Sequence, residues 1–181
     1  MLNDLFTETW KELECGAKEE NHPFNICSLA TFETPTQIKQ RFVNLRGVTV
    51  ERNLLFYTDN RSTKMEQIRK NPAASVVFYN PILHLQVFLR GKIILHTDDE
   101  LWEDHRLKID GRSINDYNTM YPPGKKIKNP LAVKRTEDLN FALLEFVPTV
   151  IEYLKLRAEP NRLRALFTKK EEEWENTFLI P

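Results

Sequence analysis

The sequence predicts a mainly β fold with flanking helices. Between residues 24 and 95, five segments are rich in β-branched and aromatic residues, and three more follow residue 139. Five strands in so short a span favour a β-barrel, which we expect the last three segments to complete. The predicted strands are FNICSLATF, IKQRFVNLRGVTV, NLLFYT, ASVVFY, LHLQVFLRGKIIL, NFALLEFVPTVIEYLKL, RLRALFTK and WENTFLIP.

Helices are predicted before and between these strands. Residues 2–20 place apolar side chains at helical spacing, which indicates an amphipathic helix that ends near Asn21. The segment MEQIRKNP is a short helix that stops at Pro72, because proline disfavours its continuation. Residues 98–108 carry acids first and bases last, in the sense that the helix dipole favours. Residues 111–135 hold three of the ten prolines and few apolar residues, so we expect an irregular surface loop of the kind that often covers a site.

The composition is that of an ordinary globular protein. The 181 residues fit one domain, 1–181, that includes the N-terminal helix, with 41% hydrophobic and 29% charged residues. Lys plus Arg equal Asp plus Glu at 26 each, so no global field attracts nucleic acid or an anionic membrane. Any anion must therefore be bound by a local cluster. Without a basic leader or an apolar run of about 20 residues, the expected location is cytoplasmic.

Motifs for several other chemistries are missing from the sequence. There is no nucleophile elbow, no dinucleotide glycine fingerprint and no GxxxxGK loop. Cys15 and Cys27 lack CxxC spacing and are expected to be reduced thiols. No histidine has another His or Cys at ligand spacing, so we expect no metal site. The four histidines are His22, His84, His96 and His105.

A phosphate site is predicted where a strand ending at Thr58 leads through a polar turn into a helix. Ser62, Thr63 and Lys64 lie in the first turn of that helix, where unpaired backbone N–H groups and a partial positive charge favour anions. Ser and Thr are also the commonest N-cap residues, so the pattern has a purely structural interpretation as well. Arg41 on a neighbouring strand could add a bidentate grip on the same phosphate.

A second basic residue, Arg46, follows Arg41 on the same predicted strand. A single basic residue near a strand is most often a surface residue whose stem covers apolar atoms, so the clustering carries the argument. On a regular strand Arg41, Val43 and Leu45 share one face and Arg46 lies on the other. A common role for the two arginines therefore requires a bulge or bend, which Gly47 could assist.

The order of these motifs resembles the pyridoxamine 5'-phosphate oxidase family. The matching segments are RFVNLR, LLFYTDNRSTKMEQIRKNPAASVVF, LQVFLRG, NRLR and a terminal W-x4-L-x-P. More narrowly, the chain is similar to the oxidase-like FMN-binding proteins of uncertain substrate. The resemblance implies an FMN-binding split β-barrel, an obligate homodimer and FMN at the subunit interface.

The resemblance also implies roles for individual residues. Arg41 would grip the FMN phosphate, Arg46 would contact substrate, and Gln86 would lie beside the flavin. Backbone groups of one strand would face the flavin ring, and the Y-T strand end and the S-x-K turn would complete the cofactor site. The implied cofactor-binding residues are Arg41, Val43, Asn44, Leu45, Arg46, Tyr57, Thr58, Ser62, Thr63, Lys64 and Gln86.

Three departures separate this chain from the oxidase pattern. Ser62-Thr63-Lys64 replaces S-R-K, which removes one phosphate-binding arginine, although Arg61 is close enough in sequence to substitute. Residues 162–166 read RLRAL where the oxidase reads R-L-H-D-R, and the stretch IEYLKL lacks the tryptophan that packs near the flavin. These changes disfavour vitamin B6 oxidation, while Arg162 and Arg164 remain candidates to face an anionic substrate.

Three functional hypotheses follow from the sequence. The leading one is an FMN-dependent oxidoreductase for a small, anionic substrate in a pocket rimmed by Arg46 and residues 111–135. The second is a non-catalytic FMN carrier or sensor that lost the substrate half of the site, and the third is a structural dimer without cofactor. In the first, the flavin supplies the redox chemistry, so no side chain is assigned as catalytic.

Overall fold

A computed structural model describes residues 1–156, 162–171 and 173–181 of the chain. Three α-helices, eight strands and two short 3-10 turns follow one another along these described residues. The helices are α1 (Leu2–Lys18), α2 (Thr63–Lys70) and α3 (Glu100–Arg106), and the 3-10 turns are Pro23–Asn25 and Gly111–Asp116. The strands are β1 (Ile26–Thr34), β2 (Gln37–Val48), β3 (Leu54–Asp59), β4 (Ala73–Asn80), β5 (Leu85–His96), β6 (Phe141–Lys155), β7 (Leu163–Lys170) and β8 (Glu173–Leu179).

The strands form one antiparallel sheet in the order β3-β2-β1-β4-β5-β6-β7-β8, and an added β3–β6 pairing closes six of them into a barrel. The predicted β-barrel with flanking helices is therefore confirmed. The expectation that all three last strands complete the barrel was wrong. The first part of β6 pairs with β3 and its last part pairs with β7 along the same edge, so β7 and β8 extend the sheet beyond the barrel.

The barrel interior is filled by alternate residues of the strands. In β4 and β5, Val76, Phe78, Val87 and Leu89 are fully buried, as period-2 alternation requires of an inward face. The N-terminal helix α1 packs between the barrel and the β7–β8 hairpin. The Phe6 ring on α1 lies 5.0 Å from the ring centroid of Phe167 and 5.5 Å from that of Trp174.

Strand β2 contains the irregularity that a shared role for its two arginines required. Leu45 pairs with Phe56 and Gly47 pairs with the next residue of β3, Leu55, so Arg46 is an extra residue at a β-bulge. The bulge that a common role for Arg41 and Arg46 requires is therefore present. Arg46 is exposed, whereas Leu45 beside it is fully buried.

The region after β5 also matches the prediction. Helix α3 begins at Glu100, where the Asp99 carboxylate accepts a hydrogen bond from the backbone N–H of Trp102 at 2.9 Å. Apart from its short 3-10 turn and an isolated bridge between Thr119 and Arg135, the segment 111–135 is irregular and mostly exposed. Within the described ranges, every helix falls short of the length and hydropathy that crossing a bilayer requires.

Candidate phosphate-binding site

Arg41 points toward the inside of the barrel. It pairs with Leu29 of β1, which is fully buried, and paired residues of an antiparallel ladder face the same side. Its Nη1 donates to Thr31 Oγ1 at 2.6 Å and to the carbonyl oxygen of Leu29 at 3.4 Å, and its Nη2 donates to Gln67 Oε1 at 3.0 Å. All three acceptors are neutral, so the guanidinium keeps its full charge.

Lys64 occupies the first turn of α2 and is held in a similar way. Its Nζ donates to Thr58 Oγ1 at 2.7 Å, and the Thr58 hydroxyl lies 3.2 Å from Ser62 Oγ. Ser62 occupies the N-cap position of α2, yet its side chain makes no capping hydrogen bond. The structural interpretation of this serine as an ordinary cap therefore does not account for its hydroxyl.

The two cations lie close enough to repel each other. Burial, and then the charge of Arg41, lower the pKa of Lys64 below its ordinary value, with Asp59 acting in the opposite direction. Burial also lowers the pKa of Arg41, partly offset by Glu33. Among the described residues, neither side chain forms an ion pair with a carboxylate. The arrangement therefore favours an anion that contacts both.

Arg61 is directed elsewhere. Its Nε and Nη2 donate to the two carboxylate oxygens of Asp59 at 3.1 and 2.7 Å, and Nη2 also donates to the carbonyl oxygen of Thr119 at 2.9 Å. The Asp59 carboxylate is buried and holds the pKa of Arg61 above its usual value, mainly through this hydrogen bonding. Arg61 therefore does not take the place of the missing phosphate-binding arginine in this conformation.

Arg46 lies near a second, aromatic cluster. Its guanidinium carbon is 5.6 Å from the ring centroid of Tyr57, whose hydroxyl is 2.6 Å from Nδ1 of His105 on α3. Tyr117 of the 111–135 segment is buried against the same group, and burial raises its pKa to about 12 although the charge of Arg46 acts to lower it. No role was predicted for His105, because 48 residues separate it from Tyr57 and no local signal joins them.

The remaining predicted flavin-side residues divide between the two faces of the sheet. Val43 and Leu45 share the inner face with Arg41, while Asn44 is exposed and Thr63 is exposed at the start of α2. Gln86 pairs with the exposed Tyr79 on the outer face of the sheet. It lies on β5, three strands from β2, which corresponds to about 14 Å at the usual strand spacing. One chain therefore does not bring Gln86 to Arg41.

The two C-terminal arginines lie outside the barrel. Arg164 on β7 donates through Nε and Nη2 to Glu152 Oε1 at 3.1 and 2.8 Å, and Arg162 is exposed just before that strand.

Cys15 and Cys27 are free thiols, and burial raises the pKa of Cys27. Within the described ranges, no three His, Cys, Asp or Glu side chains come together as a metal site.

Comparison with known proteins agrees with this architecture. The family model described as "Pyridoxamine 5'-phosphate oxidase, FMN-binding domain" matches residues 7–97, half of the chain. A pyridoxine/pyridoxamine 5'-phosphate oxidase of Christiangramia forsetii is 23% identical over 98% of this chain and 87% of its own length. Another, from Azorhizobium caulinodans, is 35% identical over 53% of this chain and 43% of its own length.

Solved structures share the fold. A pyridoxamine 5'-phosphate oxidase-related, FMN-binding protein of Nostoc punctiforme superposes with a TM-score of 0.76 at 23% identity, covering 96% of each chain. PhzG of Burkholderia lata, solved in complex with tetrahydrophenazine-1-carboxylic acid, gives a TM-score of 0.70 at 16% identity over 97% of this chain and 92% of its own.

The barrel, with a cation pair formed by β2 and α2, thus has the architecture of a flavin-binding split barrel. The chain belongs to the pyridoxamine 5'-phosphate oxidase FMN-binding family, and FMN is the cofactor of the matched domain. The residues present fit that cofactor, because Arg41 and Lys64 form a partly buried pair of positive charges whose hydrogen-bond partners among the described residues are neutral.

Proposed function

We propose that this protein is an FMN-dependent oxidoreductase for a small, anionic substrate. The observation that carries the proposal is the cation pair of Arg41 and Lys64, which has no partner carboxylate in the described part of the chain, in a family whose domain binds FMN. These two side chains would hold the FMN phosphate, together with the Ser62 hydroxyl and the N-terminus of α2 at Thr63. When bound, the flavin supplies two-electron redox chemistry, and the protein supplies binding and orientation.

The ring end of the cofactor would extend along β2. Val43, Asn44 and Leu45 lie next to Arg41 on that strand and would present backbone groups to the isoalloxazine, and Thr58 and Tyr57 would border it from β3. Gln86 would contact the same flavin only from another copy of the chain, because its own β5 is three strands away. This separation supports a homodimer with FMN at the subunit interface.

An apolar outer face supports the same dimer. Phe42 of β2 is 80% exposed. It pairs with Ser28, which also pairs with Val77, and Val77 pairs with Phe88, so these side chains form one row across four strands on the outer face. Ile26, Ile38 and Tyr79 on the same strands are also exposed. A second copy covering this face would bury apolar surface that a monomer leaves in water.

The proposed substrate class follows from unpaired positive charge near Arg46. The 111–135 segment carries six basic residues and one acidic residue in a chain whose net charge is zero. None of the six forms an ion pair with a described carboxylate. Tyr117 anchors this segment beside Arg46, so an anion approaching the ring end would meet favourable charge. The six are Arg112, Lys125, Lys126, Lys128, Lys134 and Arg135.

A non-catalytic FMN carrier or sensor is the second candidate function. It is favoured by the ion pair of Arg164 with Glu152, because a proposed substrate arginine is already engaged within its own chain. Arg162 retains an exposed charge and remains the better candidate for a substrate contact. Under the carrier hypothesis the protein would bind FMN as tightly but would show no turnover.

The cofactor assignment is tested by the visible spectrum and by one double variant. The purified protein should be yellow or should take up added FMN, and Arg41→Ala with Lys64→Ala should weaken FMN binding by about 100-fold or more, because both charge-assisted bonds are lost. Arg69→Ala, an exposed basic residue at the other end of α2, is the matched control. Unchanged FMN affinity in the double variant would contradict the phosphate site.

The oxidoreductase and carrier hypotheses are separated by reactivity. The reduced protein would be mixed with oxygen, and the oxidised protein with pyridoxamine phosphate and a panel of small aromatic carboxylates and phosphates. Flavin reduction by an anionic compound, weakened by salt and by Arg46→Ala, supports the oxidoreductase. Absence of turnover with every compound at saturation supports the carrier.

The dimer is tested by its mass in solution. Phe42→Lys should give a monomer with weakened FMN binding, whereas Val50→Lys in the β2–β3 turn, at a position that is 96% exposed, should leave the dimer intact. Sedimentation velocity measures both. A wild-type monomer that binds FMN at full occupancy would rule out the interface proposal.

A further inference from the structure

Arg41 belongs to a closed triangle of three side chains from three elements. Gln67 on α2 accepts two hydrogen bonds on Oε1, one from Thr31 Oγ1 at 2.8 Å and one from Arg41 Nη2 at 3.0 Å. Thr31 on β1 accepts from Arg41 Nη1 at 2.6 Å. Gln67 is 7% exposed and Thr31 is 1% exposed, so these two members of the triangle are shielded from water, while Arg41 is half-buried.

The hydrogen-bonding capacity of each group is well matched. The Thr31 hydroxyl has one proton, which it donates to Gln67, and lone pairs that accept from Arg41. Both neighbours of Gln67 Oε1 are donors, so the orientation of the amide is determined by its partners. Two nitrogens of the guanidinium are thereby held, and its rotation about the long side chain is restricted.

The two side chains that hold Arg41, the Gln67 amide and the Thr31 hydroxyl, are uncharged, and this has a chemical consequence. A carboxylate in place of the Gln67 amide would pair with Arg41 bidentately and compete with any incoming anion. An amide and a hydroxyl orient the guanidinium while leaving its charge available. Ordering the arginine before the ligand arrives also lowers the entropy lost on binding.

We propose that Gln67 and Thr31 are positioning residues that preorganise Arg41 for the phosphate of the flavin, and so give this protein its preference for FMN over riboflavin. The inference rests on the proposed phosphate site at Arg41 and Lys64. Both residues touch Arg41, and the sequence motifs gave neither of them a role.

The test compares two ligands that differ only by the phosphate. Dissociation constants for FMN and riboflavin would be measured by flavin fluorescence on the full chain freed of cofactor. Gln67→Glu should weaken FMN binding by about 10- to 100-fold and leave riboflavin within about twofold, because riboflavin has no group that needs Arg41. Thr31→Val should weaken FMN binding by about 5- to 10-fold, and Thr31→Ser should restore it.

Each outcome discriminates between explanations. Equal loss of both flavins in Gln67→Glu and Thr31→Val would indicate a merely structural role and overturn the inference. Arg41→Ala in the same assay distinguishes a failure of the positioning role from a failure of the phosphate site. If it lowers the FMN preference while Gln67→Glu and Thr31→Val do not, the positioning role fails and the phosphate site stands. If Arg41→Ala leaves the preference unchanged, the proposed phosphate site itself fails. Should Gln67→Glu not fold, the Thr31→Val and Thr31→Ser pair decides the positioning role.

Discussion

Arg61 and Thr119 are joined across 58 residues of sequence, with Arg61 Nη2 donating to the Thr119 carbonyl oxygen at 2.9 Å. The same guanidinium forms a forked ion pair with the buried carboxylate of Asp59. The turn that carries Ser62 and Lys64 is therefore fastened to the basic 111–135 segment. This contact links the proposed cofactor phosphate site to the proposed substrate side.

Removing this contact should release the loop. Arg61→Ala removes the bond to Thr119 and leaves the Asp59 carboxylate buried without its partner, so we expect a loss of about 1–3 kcal/mol in the free energy of unfolding. Trypsin should cut after Lys125 and Lys126 several times faster than in the wild type. Arg112→Ala is the control, because Arg112 is an exposed base in the same segment and its side chain makes no hydrogen bond to the part of the chain that the structure describes. Equal cleavage rates in both variants would show that Arg61 does not hold the loop.

FMN affinity should depend on pH through both the phosphate and Lys64. The phosphate gains its second negative charge near pH 6, so affinity should rise through about that pH. Burial and Arg41 lower the pKa of Lys64 below its ordinary value of 10.5, so the ammonium loses its proton, and affinity falls, earlier in the alkaline range than for an exposed lysine.

Measuring FMN affinity by fluorescence between pH 5 and 10 would follow both the rise near pH 6 and the alkaline decline. Lys64→Arg is the matched variant, because a guanidinium stays protonated throughout this range. This variant should keep the rise in FMN affinity near pH 6 and lose the alkaline decline. An alkaline decline of the same size in Lys64→Arg would show that another group causes it.

The burial of His105 should make the stability of the protein sensitive to acid. Burial, Lys108 and His96 lower the pKa of His105 below 6.5, with Asp104 acting in the opposite direction. The unfolded chain therefore takes up a proton below about pH 6.5 that the folded form resists, so the free energy of unfolding falls as pH decreases. One such group changes stability by at most about 1.4 kcal/mol per pH unit.

Urea unfolding between pH 5 and 8 tests whether His105 causes the acid sensitivity. His105→Gln should be less stable than the wild type at pH 8, where Tyr57 has lost its imidazole partner, and the difference should shrink toward pH 5. Tyr57→Phe should lose the hydrogen bond and yet keep the acid sensitivity, because the histidine remains. A constant difference between His105→Gln and wild type at every pH would contradict the assignment.

The bulge at Gly91 should tolerate no larger residue. A Cβ at this position would lie 2.1 Å from the carbonyl oxygen of Val147 and 2.9 Å from the Cα of Pro148, and backbone atoms of β6 cannot move aside cheaply. We expect Gly91→Ala to lower the free energy of unfolding by about 2–4 kcal/mol. Gly47→Ala is the comparison, because its nearest atom is the flexible Leu55 Cδ1 at 3.1 Å. Similar stability of the two variants by urea unfolding would refute the steric explanation.

Much of the fold was predictable because it is encoded locally. The strands show β-branched and aromatic enrichment, α2 ends before Pro72, and α3 begins at an acidic cap, all within windows of about ten residues. The bulge at Arg46 could be named from the sequence only as the condition for a common role of two alternating arginines, with Gly47 next to it. The sequence could not show that β6 belongs to the barrel while β7 and β8 lie outside it. The two-part pairing of β6, with β3 and then with β7, depends on closure of the barrel.

The sequence by itself determined the family, the barrel class and the region that contains the cation pair, since strand period, helix start and motif order are properties of neighbouring residues. Only the tertiary structure decided which groups surround those cations. Gln67, Thr31 and His105 act through partners 26, 10 and 48 residues away, and Arg61 turned out to be bound to Asp59. The physical reason is that charge balance depends on every group packed nearby, and contacts between distant elements form only when the chain closes into the barrel.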